Sequence, residues 1–434
     1  MSTAWTEREV IHLLNRTAFS VNREIIDVCL SYGMEETVNQ LIAGRPLLPA
    51  KSAPLVPIEQ LKMGSGTLKP GLLDDQSLYW LYRMMNSSAP LIEKMALFWH
   101  GHFATSFYKI QNVSLMLKQI DMFRNHALGS FRDLLLSVSK DPAMMLWLDA
   151  GYNKKGNPNE NYSRELMELF TLGIGNYSEQ DVREAARAFT GWSYNTETYK
   201  VVFNDKQFDS GTKTFLGETG NFGMVEIIDI LIKQKALYTF LARKLLQAFA
   251  VEKPSETWIS QFASQLSQAK TIGEAMKMLL MSDEFYQEST VMSLVKSPPE
   301  FMTSIIKTLS LPLDIHFIYA IKEMGQELYA PPNVAGWPGH ASWLTTNYYL
   351  ARFQFAEYAS SRVTKWFAPW DKPIGAEAII KEWCRLLGIG KLSEASLNGL
   401  LTYAATAPDP TNLKVDAKRK LLQLLLMCPE AQLK

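Results

Sequence analysis

Apolar residues recur at helical spacing along almost the whole chain, and the pattern predicts a protein built of many helices. Thr6-Glu-Arg-Glu9 has the form of a capping box, and Val10, Leu13 and Leu14 follow on one helical face. Gly33 and Gly44 are placed as stop signals for the two short helices that follow. Residues 45–73 break this rhythm with five prolines and three glycines, which predicts a long irregular connection of the kind that carries function or moves. Helical patterns resume near Asp74 and continue over 79–85, 91–103, 113–126 and 131–138. Asp141-Pro142 reads as a helix start, with Asp as the cap and Pro in the first turn. A polar loop at 151–159 leads into a helix over 160–172 that Gly173 closes, and Ser178-Glu-Gln-Asp181 opens the next.

Residues 198–217 are the one good strand candidate, because Val201, Val202 and Phe203 precede a Gly/Asp/Ser turn; a small hairpin is expected there. Helices are expected through most of 223–328, then a Pro/Gly/Trp loop at 330–343 and a helix over 348–360. Asp371-Lys-Pro373 reads as a linker, dividing a main helical domain (1–365) from a C-terminal helical subdomain (370–434) whose last long helix covers 412–427. The fold class expected is all-α, a multi-helix globular bundle with one minor hairpin.

Composition narrows the function classes. Lys+Arg and Asp+Glu both number 44, so no overall field steers the chain to nucleic acid or anionic lipid. No stretch reaches the roughly 18 apolar residues of a membrane-crossing helix, and the first residues lack the form of a secretory signal. Cys29, Cys384 and Cys428 lie far apart in helical surroundings, which fits unpaired thiols in a reducing compartment better than a disulfide framework. The expectation is a soluble, cytoplasmic protein. Walker, dinucleotide-binding, His-Glu-x-x-His and nucleophile-elbow motifs are all missing from the sequence.

The densest polar segment is 157–173. At about 100° per residue, Asn161, Arg164, Glu165 and Glu168 share one helical face, opposite Tyr162, Leu166, Leu169 and Phe170. Such a face is either a solvated surface laced with i,i+4 pairs or a pocket wall. In a pocket, two carboxylates beside an Arg repel one another, and one of them holds a proton near neutral pH. In Trp99-His-Gly-His-Phe103, residues i and i+2 of a helix point about 200° apart, so the two imidazoles do not share an ion. His102 falls on the apolar face and is expected to be the buried one, as a core histidine, a lone metal ligand or a base. Trp337 and Trp343 sit in a rigid Pro/Gly loop, where they either pin the loop or present a surface to a sugar or a partner; His340 beside them is expected to be exposed.

Taken together, several motifs resemble one family. They are His12-Leu-Leu-Asn-Arg16, Glu93-Lys-Met-Ala-Leu-Phe-Trp-His-Gly-His-Phe103, the 159–173 segment, Asp181-Val-Arg-Glu-Ala-Ala-Arg-Ala-Phe-Thr-Gly-Trp192, Lys213-Thr-Phe-Leu-Gly217 and Pro332-Asn-Val-Ala-Gly-Trp-Pro338. In that order the chain resembles the bacterial family called domain of unknown function 1800. The resemblance implies no particular reaction. It does imply frequent secretion and gene company with a sulfatase- or phosphatase-like family that can carry export signals. The chain departs from the family pattern at Phe208-Asp209, where a His-Asp pair is usual, and at Gly339-His340, where Gly-Gly is common. A family site would then draw on His102, Asn161, Arg164, Glu165, Glu168, Asp181 and Asp209.

Three functional expectations follow. The first is a carboxylate-centred hydrolase, with Asn161, Arg164, Glu165 and Glu168 as catalytic residues and one divalent metal on His102, Glu168 and Asp181. The second is a non-catalytic helical partner of the neighbouring sulfatase/phosphatase-like hydrolase, reaching the periplasm or the exterior by co-export. The third is a carbohydrate-binding module that uses Trp192, Trp337 and Trp343.

Overall fold

The computed structural model describes residues 4–49, 53–64, 66–363, 375–409 and 413–434. Its helices, in chain order, begin with α1 (Glu7–Thr17), α2 (Arg23–Ile42), α3 (Leu73–Asn86), α4 (Pro90–His102), α5 (Phe107–Ile110), α6 (Val113–Asn125) and α7 (Phe131–Ser139). Next come α8 (Pro142–Trp147), α9 (Asn161–Glu165), α10 (Glu179–Ala188), α11 (Met224–Ile232), α12 (Lys235–Phe249), α13 (Glu256–Gln268) and α14 (Ile272–Leu280). The last are α15 (Pro298–Thr308), α16 (His316–Glu323), α17 (Thr346–Ser361), α18 (Ala376–Leu386), α19 (Glu394–Ala405) and α20 (Val415–Met427). The fold class is all-α, as the periodicity predicts.

Local signals place the helix ends well. The Thr6 amide donates to Glu9 Oε2 at 3.1 Å, closing the reciprocal cap expected at the start of α1. Gly33, at φ 77°, kinks α2 into the two expected segments rather than ending a helix. Asp141 caps α8 by accepting from the Met144 amide at 2.8 Å.

The β content is distributed otherwise than expected. Among the described residues there are three two-stranded antiparallel pairs, β1 (Lys62–Met63) with β2 (Gly66–Thr67), β3 (Trp192–Tyr194) with β4 (Val201–Phe203), and β5 (Lys213–Phe215) with β6 (Glu218–Gly220). The single hairpin expected over 198–217 is thus two. Val201–Phe203 pairs backwards with Trp192–Tyr194, and Lys213–Phe215 turns forward through Leu216 and Gly217, both at positive φ as a two-residue hairpin turn requires. The 45–73 connection is pinned rather than loose where it is described: Leu47, Ile58 and Leu68 are buried, and the Lys69 amide donates to Asp75 Oδ2 at 2.7 Å.

α4 lies at the centre and packs against α1, α2, α3 and α6. Its Glu93, 1% exposed, accepts from Trp80 Nε1 and from both Arg83 and Arg124. His100 is fully buried and His102 nearly so, so the expectation that only His102 turns inward needs correcting. A helix surrounded on several sides has no solvent face for His100 to occupy. The Asp371–Pro373 linker lies outside the described residues. The C-terminal helices share the main hydrophobic core; α20 packs on α17, and the Lys434 amide donates to the Leu294 carbonyl at 2.8 Å. No helix among the described residues is long and apolar enough to cross a membrane. Cys29 and Cys384 are buried, Cys428 is partly so, and none is paired.

Candidate functional site

The site is built where the C-terminal turn of α4 meets the 330–345 loop. The Ala335 amide donates to Asn333 Oδ1 and the Gly336 amide to the Asn333 carbonyl, which folds the loop tip into a tight turn. Gly336 takes φ 86°, and a Cβ there would stand 2.1 Å from the Gly101 carbonyl oxygen. Only glycine satisfies both conditions. The near-contact of two glycine backbones seats the Trp337 ring edge-on to His100, with centroids 5.2 Å apart, and over Gly101.

Beside this junction lies a cavity of about 400 Å³, closed also by α1, α12, α15 and the C-terminal residues. Phe98, Phe249, Trp337 and Trp343 form its apolar wall. Its charged lining is Arg16, Lys94, Lys244 and Lys434, with Glu300 the lone side-chain carboxylate. Lys94 and Lys434 both donate to Glu300 Oε1, while Glu300 Oε2 accepts from the Ser297 amide at 2.8 Å. Burial alone would raise the Glu300 carboxyl, but the Lys434 and Lys94 ammonium groups hold it well below the usual carboxylate range. Burial pushes Lys434 down to about 7 and Arg16 down to about 9, with Glu300 opposing in each case. The Arg16 Nη2 donates to the Thr290 carbonyl at 2.7 Å and to the Ala250 carbonyl at 3.1 Å. Its Nε and Nη1 are buried and find no partner among the described residues.

His102 enters the same cavity. Nε2 lies 3.0 Å from the Phe170 carbonyl, which can only accept, so the proton sits on Nε2 and the Nδ1 lone pair is left open. Burial, reinforced by the nearby Lys244 charge, pushes the imidazole down to about 3, so the ring is neutral at pH 7. His340, expected to be exposed, is half-buried and also lines the cavity. The Nε1 atoms of Trp337 and Trp343 and the Gln326 Oε1 are further buried polar atoms of this wall without partners in the protein.

Of the residues expected to act, the fold brings His102, Trp337 and Trp343 together here. Asn161, Arg164, Glu165, Glu168, Asp181 and Trp192 do not line the cavity. The helix expected over 160–172 is α-helical only to Glu165 and continues as a π-helix over Leu166–Thr171, where the Leu172 amide reaches back to the Met167 carbonyl at 2.8 Å. The wider π turn advances each residue by less than an α turn, so the i,i+4 register between Arg164 and Glu168 is lost. Arg164 instead makes a bidentate pair with Glu179 at 2.7 and 2.8 Å and reaches Glu160 at 3.2 Å. Glu168 accepts from the Tyr177 hydroxyl at 2.9 Å, and exposed Asn161 donates to the Leu148 carbonyl. Half-buried Glu165 is raised by burial and by the neighbouring Glu168, with Arg164 opposing.

The metal set is likewise dispersed. Asp181 closes the Ser178 cap and accepts from the Leu216 amide at 2.7 Å, while His102 is caged by Phe98, Trp99, Phe103 and Phe170. Among the described residues no three His, Cys, Asp or Glu side chains gather as a metal site. His102, Glu168 and Asp181 therefore do not fit a shared divalent ion. Asp209 pairs with Arg187 at 2.8 Å, and Trp192 packs on Phe203 under the Lys140 ammonium.

Arg16, Lys94, Lys244, Glu300 and Lys434 were not singled out from the sequence. Two signals were available. Lys94 interrupts an apolar helical face between Leu91 and Phe98, and Ser297-Pro-Pro-Glu300 has the spacing of a capping box.

A family model described as a protein of unknown function (DUF1800) matches residues 12–433. No curated protein and no solved structure shows a match.

Proposed function

We propose, for a chain that belongs to the DUF1800 family of proteins of unknown function, that its function is exercised on a small ligand held in the cavity between α4, α12, α15 and the Trp337 loop. One observation carries this reading. His102, Trp337, Trp343 and Gln326 all line this one cavity, and His102 Nδ1, the two indole Nε1 atoms and Gln326 Oε1 are buried without protein partners among the described residues. Each such orphan costs about 1–3 kcal/mol if nothing meets it, so a ligand that pairs with them recovers free energy the empty site forgoes. The volume suits a compact molecule with a flat apolar portion, sugar rings included, laid against the two indoles.

The test is a thermal-shift and fluorescence survey of neutral aromatic and sugar-sized compounds on the whole chain and on Trp337→Ala. Binding that stabilises the wild type and is lost in Trp337→Ala supports the reading. Stabilisation that is equal in both proteins, or no binder at all, sinks it.

A hydrolytic reading has a separate observation in its favour. Glu165, raised above the usual carboxylate range by burial and by Glu168 next to the Tyr177 hydroxyl, is the kind of perturbed carboxyl that acid–base catalysis draws on. Ester or phosphoester hydrolysis that disappears in Glu165→Gln and survives in Trp337→Ala would place chemistry at α9 instead of the cavity. The partner reading draws less support, because Trp337 and Trp343, its intended contact residues, line the cavity.

A further inference from the structure

The charges that line the cavity do not balance. Four cationic side chains, Arg16, Lys94, Lys244 and Lys434, line it against a single lining side-chain carboxylate, that of Glu300. Behind them Lys296, 4% exposed, and Arg352, fully buried, also look to Glu300 for compensation. One carboxylate cannot serve them all: its Oε1 is already shared between Lys94 and Lys434, and its Oε2 is taken by the Ser297 amide. Among the described residues Arg16 keeps two idle nitrogens and Lys244 has no carboxylate partner, its ammonium resting 5.5 Å from the Phe240 ring centroid. Buried cations left this way are costly, and the usual remedies are a counter-anion or loss of the proton.

Resting on the cavity reading above, we infer that the Arg16–Lys94–Lys244–Lys434 cluster is the binding site for a tetrahedral oxyanion group, a phosphate or sulfate, carried by the ligand. Arg16 adds a buried guanidinium charge to the wall, with only its Nη2 committed to backbone carbonyls. Lys244 supplies a point charge from α12, and Lys434 can turn from Glu300 to the ligand. The indole Nε1 groups of Trp337 and Trp343 are donors, which suits acceptor-only oxygens, and neutral His102 adds no negative charge to the wall. The apolar wall then receives the rest of the molecule, so an aryl or glycosyl phosphate or sulfate is the matching class.

The experiment is isothermal titration of the full chain with inorganic phosphate, sulfate, phenyl phosphate and phenol, at constant ionic strength set by chloride. Phosphate and sulfate are expected to bind, and phenyl phosphate about tenfold or more tighter than phosphate because its ring meets the indoles. Lys244→Gln, which removes the one lining ammonium that among the described residues makes no hydrogen bond to Glu300 or a backbone carbonyl, is expected to weaken phosphate by about fivefold to tenfold. Arg16→Met should abolish binding if it folds, and Lys244→Gln decides the matter if it does not. Phosphate and sulfate that give no heat, or that bind Lys244→Gln as tightly as the wild type, overturn the inference. Phenol binding without any oxyanion binding would refute this inference alone, whereas silence from every compound would remove the cavity reading as well.

Discussion

Replacing Glu300 by glutamine removes the carboxylate on which the cation cluster depends while keeping its shape. The amide oxygen can still accept from the Ser297 amide, so the cap of α15, worth about 1 kcal/mol, need not be lost. What is lost is the charge facing Lys94 and Lys434. Breaking a buried ion pair from one side costs about 3–5 kcal/mol. A ceiling is set by the lysines themselves, since each can shed its proton on folding. From an unfolded pKa of about 10.4, this costs about 4–5 kcal/mol per lysine at pH 7 and about 1.4 kcal/mol less for every unit of pH above that. The destabilisation of Glu300→Gln is therefore expected to be about 3–5 kcal/mol at pH 7 and to shrink towards pH 9. It should shrink on the acid side too. Glu300 is held below its ordinary value in the folded state, so its contribution is full above the unfolded carboxylate pKa, about 4.3, and is lost as pH falls through the folded one. Urea denaturation of both proteins between pH 3 and 9 measures this directly, given unchanged m-values. The same variant should bind phosphate more tightly than the wild type, because the competing carboxylate is gone, and added phosphate should restore part of its stability. A loss under about 1 kcal/mol at pH 7, or a loss that does not change with pH, would refute the account of the cluster.

Gly336→Ala is expected to displace the Trp337 loop, because its Cβ would overlap the Gly101 carbonyl at a positive φ; a loss of about 1–3 kcal/mol with new proteolytic cleavage in 330–345 is the sign, and an unaltered digestion pattern would contradict it. Glu93→Ala removes the buried carboxylate that Arg83 and Arg124 share, leaving Arg124 with Asp121 alone, and should cost about 3 kcal/mol by denaturant unfolding. Asp141 is raised to about 7 by burial, its hydrogen bonds from Met144 and Gln119 opposing. A carboxyl raised on folding leaves stability intact below its unfolded value near 4 and takes it away as pH rises to about 7. Asp141→Asn should therefore flatten that decline, and unchanged pH curves for the two proteins would count against it.

The helical architecture could be read because its determinants are local. The caps at Thr6 and Asp141, the glycine at 33 and the apolar spacing of α4 each act within a turn or two of the residues they organise. The hairpin region was read less well. Whether Val201–Phe203 pairs forward or backward depends on where Trp192–Tyr194 lies, and a three-residue strand carries no register of its own. The polar face over 161–168 illustrates the limit differently. All its residues were identified, but a π turn at Leu166–Thr171 moved Glu168 out of phase with Arg164, and Asn161, Arg164 and Glu168 each met another partner.

What the sequence determined alone was the class of fold, most helix boundaries, the family, and the inward turn of His102. The tertiary structure decided where the polar groups meet. Arg16, Lys94, Lys244, Glu300 and Lys434 come from five distant places in the chain. Each looks ordinary on its own helix or terminus, because helical periodicity reports which face is buried and not what lies opposite it. The charge surplus and the cavity arise only when α1, α4, α12, α15 and Lys434 pack around the Gly101–Gly336 contact. A sum over residues distant in the chain is not a periodic property of any segment, so no local reading could contain it.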